Sequence, residues 1–283
     1  MIGQQRARQG DAGYVNISYA CSLSGHFAYF EGSRPNASLE RAMATLKSKI
    51  GAFVIPGLPI NRRTFDILRY ELLALGTRAL NVVNPSHREK ICELRKRKDL
   101  SVNVGSGGKG LPGWVNIELH RHHDTTLQLD IRHPLPLADN SVARILAEHV
   151  VEHIDFRQDI PRVLSDWHRI LRPDGVLRII VPDIKRMIEA YVSGDKARWL
   201  ELGWDLEAMP GDIHTPMHIL NHTFNQDSEH LFAYDFETLA LVLRRAGFET
   251  IERMSYRRSR DPQLAIDQQY HAPYSLYVEA VKQ

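Results

Sequence analysis

Residues 148–153 read Glu-His-Val-Val-Glu-His, which puts two carboxylates and two imidazoles within six positions. Such a set can remove a proton from an acceptor hydroxyl. It can also hold a divalent ion that lowers the pKa of that hydroxyl. A second stretch supplies His214, His218, His222 and His230, and His120, His122 and His123 lie upstream; the chain has 14 histidines in all. A lone histidine is more often structural, but clustering of this kind points to function. Two arrangements fit. In one, His153 is a general base oriented by Glu152. In the other, His149, Glu152 and His153, together with His218 or His222, hold the ion. Imidazole suits zinc or another transition metal, whereas magnesium prefers oxygen ligands. His149-Val-Val-Glu152-His153 also has the form of an inverted zinc-peptidase motif, but the glycine turn that precedes it argues for different chemistry.

That turn is Gly105-Ser106-Gly107-Gly108, at the end of the apolar run Leu100 to Val104. A second run, Trp114 to Leu119, carries Glu118 near its end. A third, Leu127 to Ile131, carries Asp130. In a parallel sheet these features stand side by side at the carboxyl ends of the strands, where open α/β sheets bind ligands. Glycines allow close approach of the backbone, and a carboxylate on the next strand can accept bonds from both ribose hydroxyls. Gly105, Gly107 and Gly110 formally match G-x-G-x-x-G, yet Leu111-Pro112-Gly113 follows instead of a helix and Glu118 comes too early for a dinucleotide site. Without a helix N-terminus to receive a pyrophosphate, a nucleoside lacking phosphates fits better than NAD or FAD.

The elements that must position these groups can be read in chain order. Residues 1–60 form an irregular arm containing Tyr14, Tyr19, Phe27, Tyr29 and Phe30, with a short strand at Ala52 to Ile55 and a Pro-Gly-Leu-Pro turn. Residues 61–99 are a helical extension packing on the core. Within it, one helix spans Thr64 to Leu75, with Phe65, Leu68, Leu72 and Leu75 on one face and Gly76 as its stop. Leu80 to Val83 is extended. A second helix spans Ser86 to Lys98, with a Ser86/Glu89 capping box and the cations Arg95 to Lys98 as a solvated end. Residues 100–283 form the main domain. The next strand is Ala143 to Ala147. A helix from Asp159 to Leu171 carries the stripe Ile160, Val163, Leu164, Trp167, Ile170 and Leu171. The strand Val176 to Val181 is buried on both faces. A helix capped by Asp183 stops at Gly194, and 195–232 is a histidine-rich insertion. A helix from Asp235 to Ala246 follows. Glu249 to Tyr256 and Ser275 to Val281 close the sheet as strands flanking a polar loop.

Five segments in order, Asn103-Val104-Gly105-Ser106-Gly107, Gly113 to Glu118, Leu135 to Ser141, His149 to Ile154 and Leu171 to Gly175, resemble the class I S-adenosylmethionine-dependent methyltransferases. The nearest group is the type-11-like branch often found with polysaccharide biosynthesis. The resemblance covers roughly residues 100–255. It implies an α/β, Rossmann-like sheet, mostly parallel with an antiparallel last strand. It places Gly105, Ser106 and Gly107 against the methionine part of S-adenosylmethionine, Glu118 on the ribose, Asp130 and Ile131 at the adenine, and Glu148 or His149 beside the sulfonium, with Asn103 among the cofactor-binding residues. Relatives with Glu-x-x-Glu-His at this point bind a metal; here His149 replaces the first glutamate. The connection from the glycine turn to Trp114 is too short for the usual helix, and a helix from residues 60–98 is expected to fill the vacated face.

The totals allow this reading. A 283-residue chain with a net charge of +2 has no composition that demands nucleic acid. It has no apolar run long enough to span a bilayer. Cys21 and Cys92, without a secretion signal, read as free cytosolic thiols. The expected activity is methyl transfer to a hydroxyl of a sugar or oligosaccharide, in the cytoplasm, with magnesium or a transition metal, or a histidine/glutamate base, activating the hydroxyl. The alternatives are a small metabolite or RNA base as acceptor, or a non-catalytic cofactor-binding partner subunit.

Overall fold

The computed structural model describes residues 61–209 and 213–283. The arm, its aromatic residues, the strand at Ala52 to Ile55 and the turn after it lie outside the described residues.

Helix α1, Arg62–Val83, begins at Asn61, whose side chain accepts from Thr64 N at 2.8 Å. It runs straight through Gly76, so the expected stop is absent and Leu80 to Val83 is its last turn. A single glycine costs a helix only about 1 kcal/mol, and long-range bonds from both sides of it override that. Asn81 Nδ2 donates to Gln128 O at 2.7 Å, and Arg132 spans Glu71 at 2.6 Å and packs over the Tyr70 ring. These bonds dock the polar face of α1. The leucine face expected to pack on the core points outward instead: Leu68, Leu72 and Leu75 are 51, 59 and 57% exposed. Helix α2, Pro85–Lys96, is capped by Asn84 rather than by Ser86, with Pro85 in its first turn. Its Leu94 and Ile91 join the main core.

The sheet has seven strands: β1 Leu100–Val104, β2 Val115–Glu118, β3 Leu127–Gln128, β4 Val142–Glu148, β5 Leu171–Pro182, β6 Thr250–Met254 and β7 Ser275–Val281. Their order is β3-β2-β1-β4-β5-β7-β6. All pairs are parallel except those of β7, which is antiparallel to both β5 and β6. The expected α/β Rossmann-like fold is therefore present. Residues 105–114 contain turns and no helix, as the short connection required. The core lies around the sheet, with Val102, Val104, Ile117, Ile145, Ala147 and Ile179 at most 1% exposed.

Helix α3, Ile160–Ile170, buries Ile160, Val163, Leu164, Trp167 and Ile170, as the stripe required. Helix α4, Ile184–Ser193, starts at Asp183 and stops at Gly194, whose φ of 66° suits glycine. Helices α5, Lys196–Glu201, and α6, Pro216–Asn225, bury Trp199 and Ile219 with Met187 of α4 in a second cluster. Helix α7, Phe236–Arg245, is capped by Asp235. Among the described residues no helix is long and apolar enough to cross a membrane.

An arginine, Arg178, sits in the middle of β5 with no solvent exposure. It binds Asp267 through Nε and Nη2 at 2.7 and 2.6 Å, Glu279 of β7 at 2.7 Å, and the carbonyls of Ser255 and Arg258. The loop 255–274, which leaves β6 and returns as β7, is thereby fastened to the sheet.

Candidate active site

The sheet order reverses between β1 and β4, and at such a switch point the carboxyl ends of the strands open a crevice. Val104 pairs with Ala147 in register, so the glycine turn and residues 148–153 leave the sheet next to one another.

On the β1 side, Gly105 and Gly107 have φ of 64° and 52°. A Cβ on Gly105 would also overlap Val150 of the other loop, so this position requires glycine on two counts. Gly107 N donates to Glu118 Oε2 at 2.9 Å and His120 N donates to Oε1 at 3.0 Å. Burial pushes the Glu118 carboxyl up, but the bonds from His120 and Gly107 prevail and hold it below its ordinary value. Glu118 is therefore an anion at the tip of β2, aimed at the turn. Asn103 is buried in β1 and donates to Asn116 Oδ1 at 3.3 Å; Asn116 also binds both the N–H and the carbonyl of Leu111. Asn103 thus braces the turn from beneath. Ser106 Oγ is buried without a hydrogen-bond partner among the described residues.

Asp130 and Ile131 lie beyond the two-residue β3. Both Asp130 oxygens are already held by Arg132, at 3.0 Å each, and the side chain has no exposure. An adenine contact from this residue would have to run through the Asp130–Arg132 pair rather than a free carboxylate.

On the β4 side, Glu148 faces the loop fastened by Arg178. It accepts from Gln268 N at 3.1 Å, Gln268 Nε2 at 3.3 Å and His271 Nδ1 at 2.9 Å. The His271 ring lies 3.8 Å from that of His149. Lys109, just after the glycine turn, bonds Gln268 and Tyr270 of the same loop. The sequence reading missed Gln268, Tyr270 and His271, because nothing local links residue 148 to residue 271.

His149 has a φ of 53°. Its Nδ1 lies 3.0 Å from Glu152 Oε1, and its Nε2 lies 2.9 Å from Ser275 Oγ. Glu152 is 1% exposed, and its Oε2 has no hydrogen-bond partner among the described residues. Burial raises the Glu152 carboxyl, yet His149 and the neighbouring imidazoles outweigh it and keep the group ionised.

Ligand atoms of Glu152, His153 and His230 lie within 4.8 Å of one another. His153 Nδ1 contacts Glu229 O at 3.0 Å and His230 Nδ1 contacts Thr223 O at 2.6 Å. A carbonyl only accepts, so both Nδ1 atoms carry the proton, and in the neutral rings both Nε2 atoms are bare lone pairs. Burial lowers the pKa of both, that of His153 to about 4. The set is held by the backbone as well: Leu231 N and Phe232 N donate to Glu152 O at 2.8 and 3.2 Å. His218 and His222 are not brought into this group. His218 is exposed and its Nδ1 accepts from His214 N at 3.0 Å, and His222 packs edge-on to Trp204. The insertion histidine that meets Glu152 and His153 is His230.

This packing gives the protein an acid-sensitive core. Burial holds His153 and His271 at about 4, against 6.5 for a free imidazole. Between those values the unfolded chain binds more protons than the folded one, so stability must fall as pH drops. The melting temperature is expected to decline from pH 6.5 toward pH 4 in metal-free buffer, and a flat profile across that window would contradict neutral, buried rings.

No curated protein matches the chain. Residues 114–179, from the start of β2 into β5, match the family described as "Methyltransferase domain". Similar solved structures include a SAM dependent methyltransferase from Archaeoglobus fulgidus, 12% identical, covering 74% of this chain and 94% of that one at a TM-score of 0.40. Another is 1,6-didemethyltoxoflavin-N1-methyltransferase of Burkholderia thailandensis with bound 1,6-didemethyltoxoflavin and S-adenosylhomocysteine, 13% identical, covering 80% of this chain and 92% of that one at a TM-score of 0.40. At such scores these neighbours carry no argument of their own. Residues 114–179 are thus similar to a methyltransferase domain, and they hold β2 to β4 of the sheet beside the glycine turn and its facing carboxylate.

Proposed function

We propose that the chain transfers the methyl group of S-adenosylmethionine to a hydroxyl of a sugar or oligosaccharide, and that Glu152, His153 and His230 hold a divalent ion that binds and acidifies that hydroxyl. The observation that carries the proposal is the convergence of a buried carboxylate and two imidazoles whose Nδ1 atoms face backbone carbonyls, past the carboxyl end of β4. The donor set, two nitrogens and an oxygen, suits zinc or another transition metal better than magnesium. When bound, such an ion would act as a Lewis acid on the acceptor oxygen. His149, held by Glu152 through Nδ1 and by Ser275 through Nε2, is the proposed acceptor of the released proton, which Nε2 takes in place of its contact with Ser275. Glu118 and the turn at 105–107 are the proposed seats of the ribose and the methionine. Tyr270, His271 and Tyr274 offer the apolar ring faces and polar tips that a sugar ring fits.

The basic run Arg95 to Lys98 speaks against a nucleic-acid acceptor. It precedes Leu100, at the amino end of β1, whereas the proposed site lies past Val104 at the carboxyl end.

Thermal melts test the proposal. S-adenosylhomocysteine at a hundred times its dissociation constant adds about 2.7 kcal/mol, a visible upward shift that NAD must not reproduce. Zinc or manganese is expected to add a second shift. His230→Ala should abolish the metal shift and leave the cofactor shift intact. A metal shift that survives in His230→Ala would reject the ligand set.

A further inference from the structure

The cations that fasten the loop 255–274 each meet a carboxylate. Arg178 holds Asp267, Arg144 holds Asp261 and Arg260 holds Glu252. Lys109 does not. It follows the glycine turn, and its backbone N–H donates to Ser106 O at 3.0 Å. Its ammonium reaches the tip of the loop and meets neutral groups there. They are the amide oxygen of Gln268, the hydroxyl of Tyr270, and the Tyr270 ring, whose centre lies 4.0 Å away. Among the described residues no carboxylate lies within ion-pairing distance of it. Glu148 is the acid whose charge reaches Lys109, but both Glu148 oxygens are taken by Gln268 and His271.

A bond between two charged groups is roughly twice as strong as one between neutral groups. A loop that needed only a clasp at this point would gain from an acid at 268 or 270, as it has at 261 and 267. The neutral set instead holds the ammonium in place and leaves its charge for another partner. Lys109 is exposed, so that partner can arrive from solvent. The ammonium is held at the same loop tip that offers Tyr270, His271 and Tyr274 to a sugar ring. We propose that Lys109 binds a carboxylate of the acceptor, and that the acceptor is an acidic sugar, a uronate unit of an oligosaccharide. This rests on the sugar reading given above and narrows it. Gln268 and Tyr270 are then positioning residues: they fix a flexible side chain in advance, which reduces the ordering cost of binding.

The test is the binding of glucuronate and of glucose to the full chain, followed by ligand-observed NMR with S-adenosylhomocysteine and zinc present. Glucuronate is expected to bind about fivefold more tightly than glucose, the worth of one ion pair open to solvent. Lys109→Met should erase that preference. Tyr270→Phe, which removes one of the two acceptors and keeps the ring, should lower it part of the way. An unchanged melt shift with S-adenosylhomocysteine shows that each variant is folded and seats the cofactor. Equal binding of the two sugars would overturn the acidic acceptor and leave the sugar reading standing. Binding of neither, in a chain that takes S-adenosylhomocysteine, would overturn both. A preference that survives in Lys109→Met would assign the carboxylate to the ion and overturn the role of Lys109. So would a Lys109→Met protein that loses S-adenosylhomocysteine but keeps 5′-methylthioadenosine, which lacks the amino-acid part, since Lys109 would then serve the cofactor.

Discussion

In a Glu118→Ala variant, affinity for S-adenosylhomocysteine is expected to fall by about a hundredfold or more. Each hydrogen bond to a charged group is worth roughly 1.5–3 kcal/mol, and a ribose offers the carboxylate two of them; 1.4 kcal/mol is about tenfold in affinity. The same substitution removes the acceptor for Gly107 N and His120 N, so the turn proposed to seat the cofactor also loses its brace. Glu118→Gln keeps one oxygen acceptor but no charge, and should recover part of the loss. Titration calorimetry against an apo melt separates binding from folding. Unchanged affinity in a folded Glu118→Ala protein would remove Glu118 from the cofactor site.

The second large effect concerns stability. Arg178→Ala is expected to cost about 3–5 kcal/mol, because it strands the buried carboxylates of Asp267 and Glu279 without their cation, leaving only the N–H groups of Arg257 and Arg260 as donors to them. At roughly 2–4 °C per kcal/mol for a domain of this size, the melting temperature should drop by about 10 °C. The loop 255–274 loses its anchor in the same step, and with it the placement of Gln268 and His271 over Glu148. Replacing all three charged residues together, with Arg178→Met, Asp267→Leu and Glu279→Leu, should be far milder than the single change, since the stranded charges are gone. A single variant that melts within a degree or two of the parent would show that water reaches the carboxylates.

What the sequence made legible follows from the range of the interactions involved. The seven strands read beyond residue 99, the helix stripe at 160–170 and the cap at Asp183 are local patterns and are present, whereas Leu80 to Val83, read as extended, is the last turn of α1. The apolar stripe of α1 was equally legible as a stripe, but periodicity reports that a face exists and not what it meets. Its opposite face is committed to Gln128 through Thr77 and Asn81 and its flank to Arg132 through Glu71, and no spacing rule encodes those partners. The choice of His230 over His218 is likewise long-range. It depends on the carbonyl of Glu152 accepting from Leu231 and Phe232, which fixes where the chain returns. One signal was available and unused: an arginine in the apolar run Val176 to Val181 cannot be buried without carboxylates from elsewhere, and Asp267 and Glu279 supply them.

His149 stands in the left-handed region of backbone space, where a side chain is penalised and glycine is not. Non-glycine residues there carry a strain of order 1–3 kcal/mol. The fold would be more comfortable with glycine at 149, yet glycine would remove the ring that meets Glu152, Ser275 and His271. On the proposed role of His149, thermal robustness and transfer chemistry pull this one position in opposite directions. Selecting the chain for heat resistance alone would relax this strain only by removing the ring from the proposed working edge.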